Sequence, residues 1–239
     1  MYSFESTVRY SECAEDGRLS ISSLVNYLQD CSTFHSESLG LGFEHMRENH
    51  YAWFLSAWQI EIEELPAFNT DITVSTWCYG MKRLIANRNF TICDKGGRQL
   101  VRADALWFVF DTERQAPAKI PESQMAYLTG EERLDMEPTP RKIAVKGDFT
   151  QASPIEVKEH HLDTNRHVNN AQYISMAIDA LRSQGQIVDA RRIFVQYKRM
   201  ALLGDTIVPR VHEQDGSWVV DLADEKGDTF AVVKLEVRA

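Results

Sequence analysis

One order of elements, a strand, a helix and then four strands, can be read twice along this chain, and that repetition constrains the fold more than any other feature. In the first copy a strand over 4–9 leads through a turn at Glu15-Asp16-Gly17 to a helix with Ser20 as N-cap. Ile21, Leu24, Val25, Leu28 and Cys31 share one helical face, so the helix buries that stripe and wets the other. After a polar, irregular stretch over 35–50, strands are expected over 53–63, 71–79, 84–94 and 99–111. Pro66, Gly80 and Lys95-Gly96-Gly97 separate them. In the second copy a strand near 155–158 precedes a helix over 168–181, whose stripe is Ala171, Ile174, Ala177, Ile178 and Leu181. Four further strands follow over 193–199, 206–212, 217–221 and 230–237. Glu12 and Asp16 in the first copy are echoed by Glu159 and Asp163 in the second.

The pattern predicts an α+β protein in which each copy is one long helix wrapped by an antiparallel sheet, with acyl-sized slots between helix and sheet. The expected domains are 1–121 and 151–239, joined by a short helix plus linker over 122–150. With 239 residues there is enough chain for either one large core or two smaller ones. Lys and Arg number 26 against 35 Asp and Glu, and the resulting net charge of −9 argues against a nucleic-acid or anionic-membrane partner. Cys13, Cys31, Cys78 and Cys93 are scattered, with no zinc spacing. The longest clean apolar run, 105–110, is far short of the roughly 20 residues a membrane span needs. The first residues carry no secretory signal pattern, which makes the cytoplasm the expected compartment.

The densest polar cluster runs from Glu159 to Asn170, directly before the second helix. If the segment is extended, Asp163, Asn165 and His167 point to one side, and the following helix offers unpaired N–H groups near Val168 to a developing oxyanion. A carboxylate, an amide and an imidazole beside such a pocket suit hydrolysis of an acyl derivative. The same residue types are also what a turn and an N-cap select, with Asn165 or Asn169 capping. A metal site of His160 or His161 with Asp163 and His167 lacks a recognised spacing, and neither a metal nor a cofactor is expected.

Asp163-Thr164-Asn165-Arg166-His167-Val168-Asn169-Asn170, followed by Tyr173, resembles the signature of the plant and bacterial acyl-acyl-carrier-protein thioesterases. Val74-Ser75-Thr76-Trp77, Gly80-Met81-Lys82-Arg83, Arg88-Asn89-Phe90, Ala103 with Trp107, and Lys119-Ile120-Pro121 resemble that family's pattern in the same order. The resemblance implies a tandem hotdog fold, an acyl chain held by the N-terminal copy, and Asp163, Asn165 and His167 as the catalytic set, with Asp163 either activating water as general base or attacking the thioester directly to form an anhydride. The reaction implied is release of free fatty acid from acyl carrier protein, which ends fatty-acid synthesis. Trp53, Trp58 and Trp107 would line the chain's slot. The acidic carrier implies a basic patch, for which Lys82, Arg83 and Arg88, or Lys198 and Arg199, are candidates alongside Arg141-Lys142-Lys146 and Arg191-Arg192. One position departs from the family: Met200 and Ala201 stand where its glutamate and, in plants, a cysteine are expected, so Glu159 or Glu12 would have to substitute. An acyl-CoA hydrolase and a non-catalytic acyl binder remain open alternatives. The absence of a plant-type transit segment before Met1 favours a bacterial source, and a homodimer is one compatible assembly.

Overall fold

The computed structural model describes residues 1–238 and divides into two units, Met1–Thr139 and a second that begins at Pro140. Unit 1 contains β1 (Tyr2–Thr7), α1 (Ile21–Ser38), α2 (Phe43–Glu48), β2 (Tyr51–Ile62), β3 (Asp71–Lys82), β4 (Ile85–Asp94), β5 (Gln99–Asp111) and β6 (Ala116–Ala118). Its strands are antiparallel in the order β1-β3-β4-β5-β2, with β6 folded back on β5. Ser20 caps α1 as expected, its hydroxyl accepting from Ser23 N at 3.2 Å. Leu24, Val25, Leu28 and Cys31 are wholly buried, and each such leucine is worth about 1.5–3 kcal/mol relative to exposure.

Two local expectations fail in unit 1. The stretch over 35–50 is largely helical: α1 continues to Ser38, and α2 follows with Phe43 N held by the Glu37 carboxylate at 2.9 Å. Gly80 does not end a strand, because β3 runs past it to Lys82 by way of a bulge at Cys78/Gly80.

Unit 2 contains β7 (Thr150–Gln151), β8 (Ile155–Glu156), α3 (Asn170–Ser183), β9 (Ala190–Tyr197), β10 (Thr206–Gln214), β11 (Ser217–Ala223) and β12 (Thr229–Val237). Its sheet order is β7-β10-β11-β12-β9, with β8 also on β10, which is the order of unit 1 over again. Each unit is therefore a hotdog: one helix laid on an antiparallel sheet, Ala171, Ile174, Ala177 and Leu181 filling the second as the leucines fill the first. No described helix is long and apolar enough to cross a membrane.

Polar side chains tie down the stretch 122–150. After a 3₁₀ turn at Glu122–Tyr127, Trp77 Nε1 donates to Glu132 O, Leu134 N to Asn89 Oδ1, and Thr139 N and Oγ1 to Asp104 Oδ2, all within unit 1 at 2.7–3.1 Å. From Pro140 onward the anchors belong to unit 2: Ile143 N donates to Gln196 and Lys146 N to Gln214, while Ile143 packs with Phe194, Val219 and Val232. Buried Asn89 and Asp104 need partners, and this segment supplies them.

Candidate active site

The residues 162–169 form a tight hairpin turn rather than an extended strand. Leu162 and Val168 are bridged antiparallel, Asp163 N donates to His167 O at 2.8 Å, and Arg166 N donates to Asp163 O at 3.0 Å. Arg166 closes the loop with a φ of +63°, a conformation in which glycine would be unstrained. The face-sharing expected of an extended segment does not apply, yet Asp163, Asn165 and His167 are still gathered in one five-residue loop. Asp163 Oδ1 accepts from Asn165 N at 2.8 Å and from His167 N at 3.1 Å. Its Oδ2, the Asn165 amide and the His167 ring have no hydrogen-bond partner among the described residues. The carboxylate is thus fixed by one oxygen and free at the other.

The expected oxyanion pocket is corrected by the same geometry. The helix begins at Asn170, not Val168, because Asn169 caps it, its side chain accepting from Ala171 N at 2.8 Å. Val168 N donates to Ala201 O at 3.0 Å and Gln172 N to Asn169 O at 2.9 Å, so these donors are already engaged. Ala201 N in turn donates to Tyr173 Oη at 2.9 Å, and burial pushes that hydroxyl up to about 12. Tyr173 thereby pins the loop that carries Met200, which is 42% exposed. Glu12 is engaged elsewhere, accepting from Arg9 N and from the Tyr27 hydroxyl, each at 2.8 Å. Glu159 is exposed in a 3₁₀ turn. Among the described residues no group of three or more His, Cys, Asp or Glu gathers as a metal site.

The turn has a twin in unit 1. Cys13 and Leu19 are bridged, Ala14 N donates to Arg18 O, Gly17 N to Ala14 O, and Leu19 N to Pro66 O, matching the bonds of Asp163, Arg166 and Val168. Gly17 stands in the place of Arg166 and Ser20 in that of Asn169. In this register Glu12 matches His161 and Ala14 matches Asp163, so the echo of Glu12 and Asp16 in Glu159 and Asp163 is two residues out of step.

The three tryptophans share the α1 side of the unit 1 sheet, because Trp58 and Arg88 both lie opposite Ala105, and Trp107 lies opposite Ala86. Trp53 and Trp107 are half-buried against Leu41, Cys78, Ala86 and Tyr127, with Trp53 Nε1 donating to Gln124 at 2.8 Å. Trp58 is wholly buried against Phe90. Of the basic candidates, Lys82, Arg83 and Lys198 are exposed. Arg199 is exposed too, but pairs with Asp224 at 2.7 Å. Arg88 is withdrawn from any carrier-protein patch: only 7% exposed, its Nη1 donates to His35 Nδ1 at 2.9 Å and Thr76 Oγ1 at 3.2 Å under the Tyr127 ring. Sequence reasoning missed this buried network, although His35 extends the Leu24, Leu28, Cys31 stripe by one turn and Arg88 sits two residues before Phe90, on its face.

A helix-wrapped antiparallel sheet built twice over, with a fixed carboxylate in the turn before the second helix, defines a protein of the hotdog class. The family model of the acyl-ACP thioesterase N-terminal domain matches residues 1–128, and that of the acyl-ACP thioesterase C-terminal domain matches 146–236. The chain belongs to the acyl-ACP thioesterase family. It is 26% identical over 226 residues to the chloroplastic oleoyl-acyl carrier protein thioesterase 1 of Arabidopsis thaliana, covering 86% of this chain and 62% of that protein. With the palmitoyl-acyl carrier protein thioesterase of the same plant it shares 25% over 188 residues, 73% of this chain and 45% of the other. The chain thus spans about half to three-fifths of the length of these curated relatives. Among solved structures, an acyl-ACP thioesterase from Bacteroides thetaiotaomicron superposes with a TM-score of 0.88 at 24% identity, covering 98% of this chain and 96% of that one. The 12:0-ACP thioesterase from Umbellularia californica gives 0.83 at 19% identity over 99% and 96%. These likenesses establish the fold.

Proposed function

We propose that this chain hydrolyses the thioester of fatty acyl-acyl carrier protein, with unit 1 holding the acyl chain and unit 2 carrying the reacting groups. The observation that carries the proposal is the Asp163 carboxylate, anchored through Oδ1 and open at Oδ2, beside His167 in a chain of this family. In this reading Oδ2 takes a proton from water as the water oxygen bonds to the thioester carbon. Collapse of the tetrahedral intermediate breaks the C–S bond, and the proton passes by way of His167 to the departing thiolate. The products are the free fatty acid and the carrier's thiol. Asn165, exposed and with a free amide, positions the water. Lys82, Arg83 and Lys198, with the exposed Arg141, Lys142 and Lys146, are the cations available to meet an acidic carrier, and a bacterial cytoplasmic setting is part of this reading.

The test is release of free thiol from acyl carrier protein and CoA thioesters of graded chain length. Turnover on the carrier series is expected. No turnover on any thioester, with acyl binding retained, would make this a binding protein and overturn the proposal.

A further inference from the structure

Unit 1 buries an unusual set of hydrogen-bond donors on the side of the sheet that faces α1. Trp58 Nε1 and Trp107 Nε1 are both buried with no partner among the described residues. Beside them Arg88 donates from Nη1 to His35 and Thr76, and no carboxylate pairs with it among the described residues. The guanidinium can only donate, so His35 Nδ1 accepts and its neutral ring carries the proton on Nε2. The register groups these side chains: Trp58 and Arg88 flank Ala105 from opposite strands, and Trp107 is the diagonal neighbour of Arg88. The positions between them, Ala86 and Ala105, have side chains too small to reach across. Two buried indole N–H groups without acceptors are costly to leave unmet, and the guanidinium beside them carries a charge with no carboxylate against it.

We propose that this face is a donor-lined subsite for an oxygen atom on the acyl chain, so that the protein prefers hydroxy-, oxo- or carboxy-substituted acyl thioesters to unsubstituted ones. The inference rests on the reading above that unit 1 holds the acyl chain. A plain alkyl chain covers the donors with methylene groups and leaves them unpaired. An oxygen on the chain accepts from them, which is worth roughly tenfold in affinity when the donor is charged or buried.

The experiment compares kcat/KM for dodecanoyl, ω-hydroxydodecanoyl, ω-carboxydodecanoyl and mid-chain oxododecanoyl acyl carrier protein. At least one oxygenated chain is expected to exceed dodecanoyl by about fivefold or more. That ratio should fall toward one in Trp107→Phe, which removes the N–H and keeps an aromatic ring, and in Arg88→Met. A purely structural role would lower both substrates alike and leave the ratio where it was. Preference for the plain chain, or a ratio unmoved in Trp107→Phe, overturns the proposal even if Arg88→Met fails to fold. If no thioester is hydrolysed, the reading of the reaction fails, and calorimetric titration with free dodecanoate and ω-hydroxydodecanoate decides the subsite by itself. Tighter binding of the hydroxy acid upholds it, and equal or weaker binding refutes it.

Discussion

Replacing Asp163 with asparagine separates the structural task of its carboxylate from the catalytic one proposed for it. Oδ1 holds the turn by accepting from Asn165 N and His167 N at 2.8 and 3.1 Å, and an asparagine oxygen accepts from both in the same place. What the turn loses is the charge on the acceptor, which at a half-buried site is worth about 0.5–1 kcal/mol for the pair. In a domain-sized protein that is a fall of about 1–4 °C in Tm. Asp163→Ala removes the acceptor altogether and should cost about 1–2 kcal/mol, so the two variants differ in the melt. For catalysis the amide at Oδ2 can take no proton from water, and loss of a general base lowers turnover by about 10²–10⁴. That is about 3–5 kcal/mol on the barrier, against under 1 on stability. The assay is thiol release on the best carrier-protein substrate beside calorimetric melting of wild type, Asp163→Asn and Asp163→Ala. If Asp163→Asn keeps more than about a tenth of wild-type turnover, Asp163 is not the base. If it melts as low as Asp163→Ala, Oδ1 does not hold the turn.

Three further outcomes are expected. Asn169→Ala removes the α3 cap and should cost about 1 kcal/mol, read as a lowered urea midpoint with an unchanged m-value. Lys82→Glu with Arg83→Glu should raise KM several-fold for acyl carrier protein substrates, less so at high salt, and spare acyl-CoA; equal effects on both carriers would dismiss the patch. Burial, with the Arg88 guanidinium beside it, holds His35 down at about 4 from an ordinary 6.5. The unfolded chain therefore binds the extra proton first, and the contribution of His35 to stability is complete above pH 6.5 and lost as pH falls toward 4. His35→Asn keeps an acceptor for Arg88 and cannot titrate, so its Tm should decline less across that window, and parallel declines would exclude His35 as the source.

The elements were legible in the sequence where side-chain period and end signals agreed. Ser20 caps α1 and the four strands that follow it lie within a few residues of their expected bounds, because one buried face imposes alternation. The α2 helix was not legible, since six residues with no buried position carry no stripe. The candidate site residues could be named from the motif, but not their arrangement. At the twin turn Gly17 announces its positive φ, whereas Arg166 takes a similar conformation with a residue type that gives no such signal. The exposed basic runs could not be told from the buried one either: Lys82 and Arg88 look alike as text, and only strand parity relative to Phe90 turns Arg88 inward.

The twin turns also say how such a protein can change. Ala14-Glu15-Asp16-Gly17-Arg18 keeps the hydrogen-bonded frame of the Asp163 loop with none of its chemistry, held by Asp16 accepting from Arg18 N at 3.0 Å. The frame does not depend on the side chains it displays, so one copy can carry the candidate site while the other keeps the turn alone. By the same logic the silent copy is a vacant socket. Ala14→Asp with Arg18→His would write the candidate pair into a loop already bent to receive it.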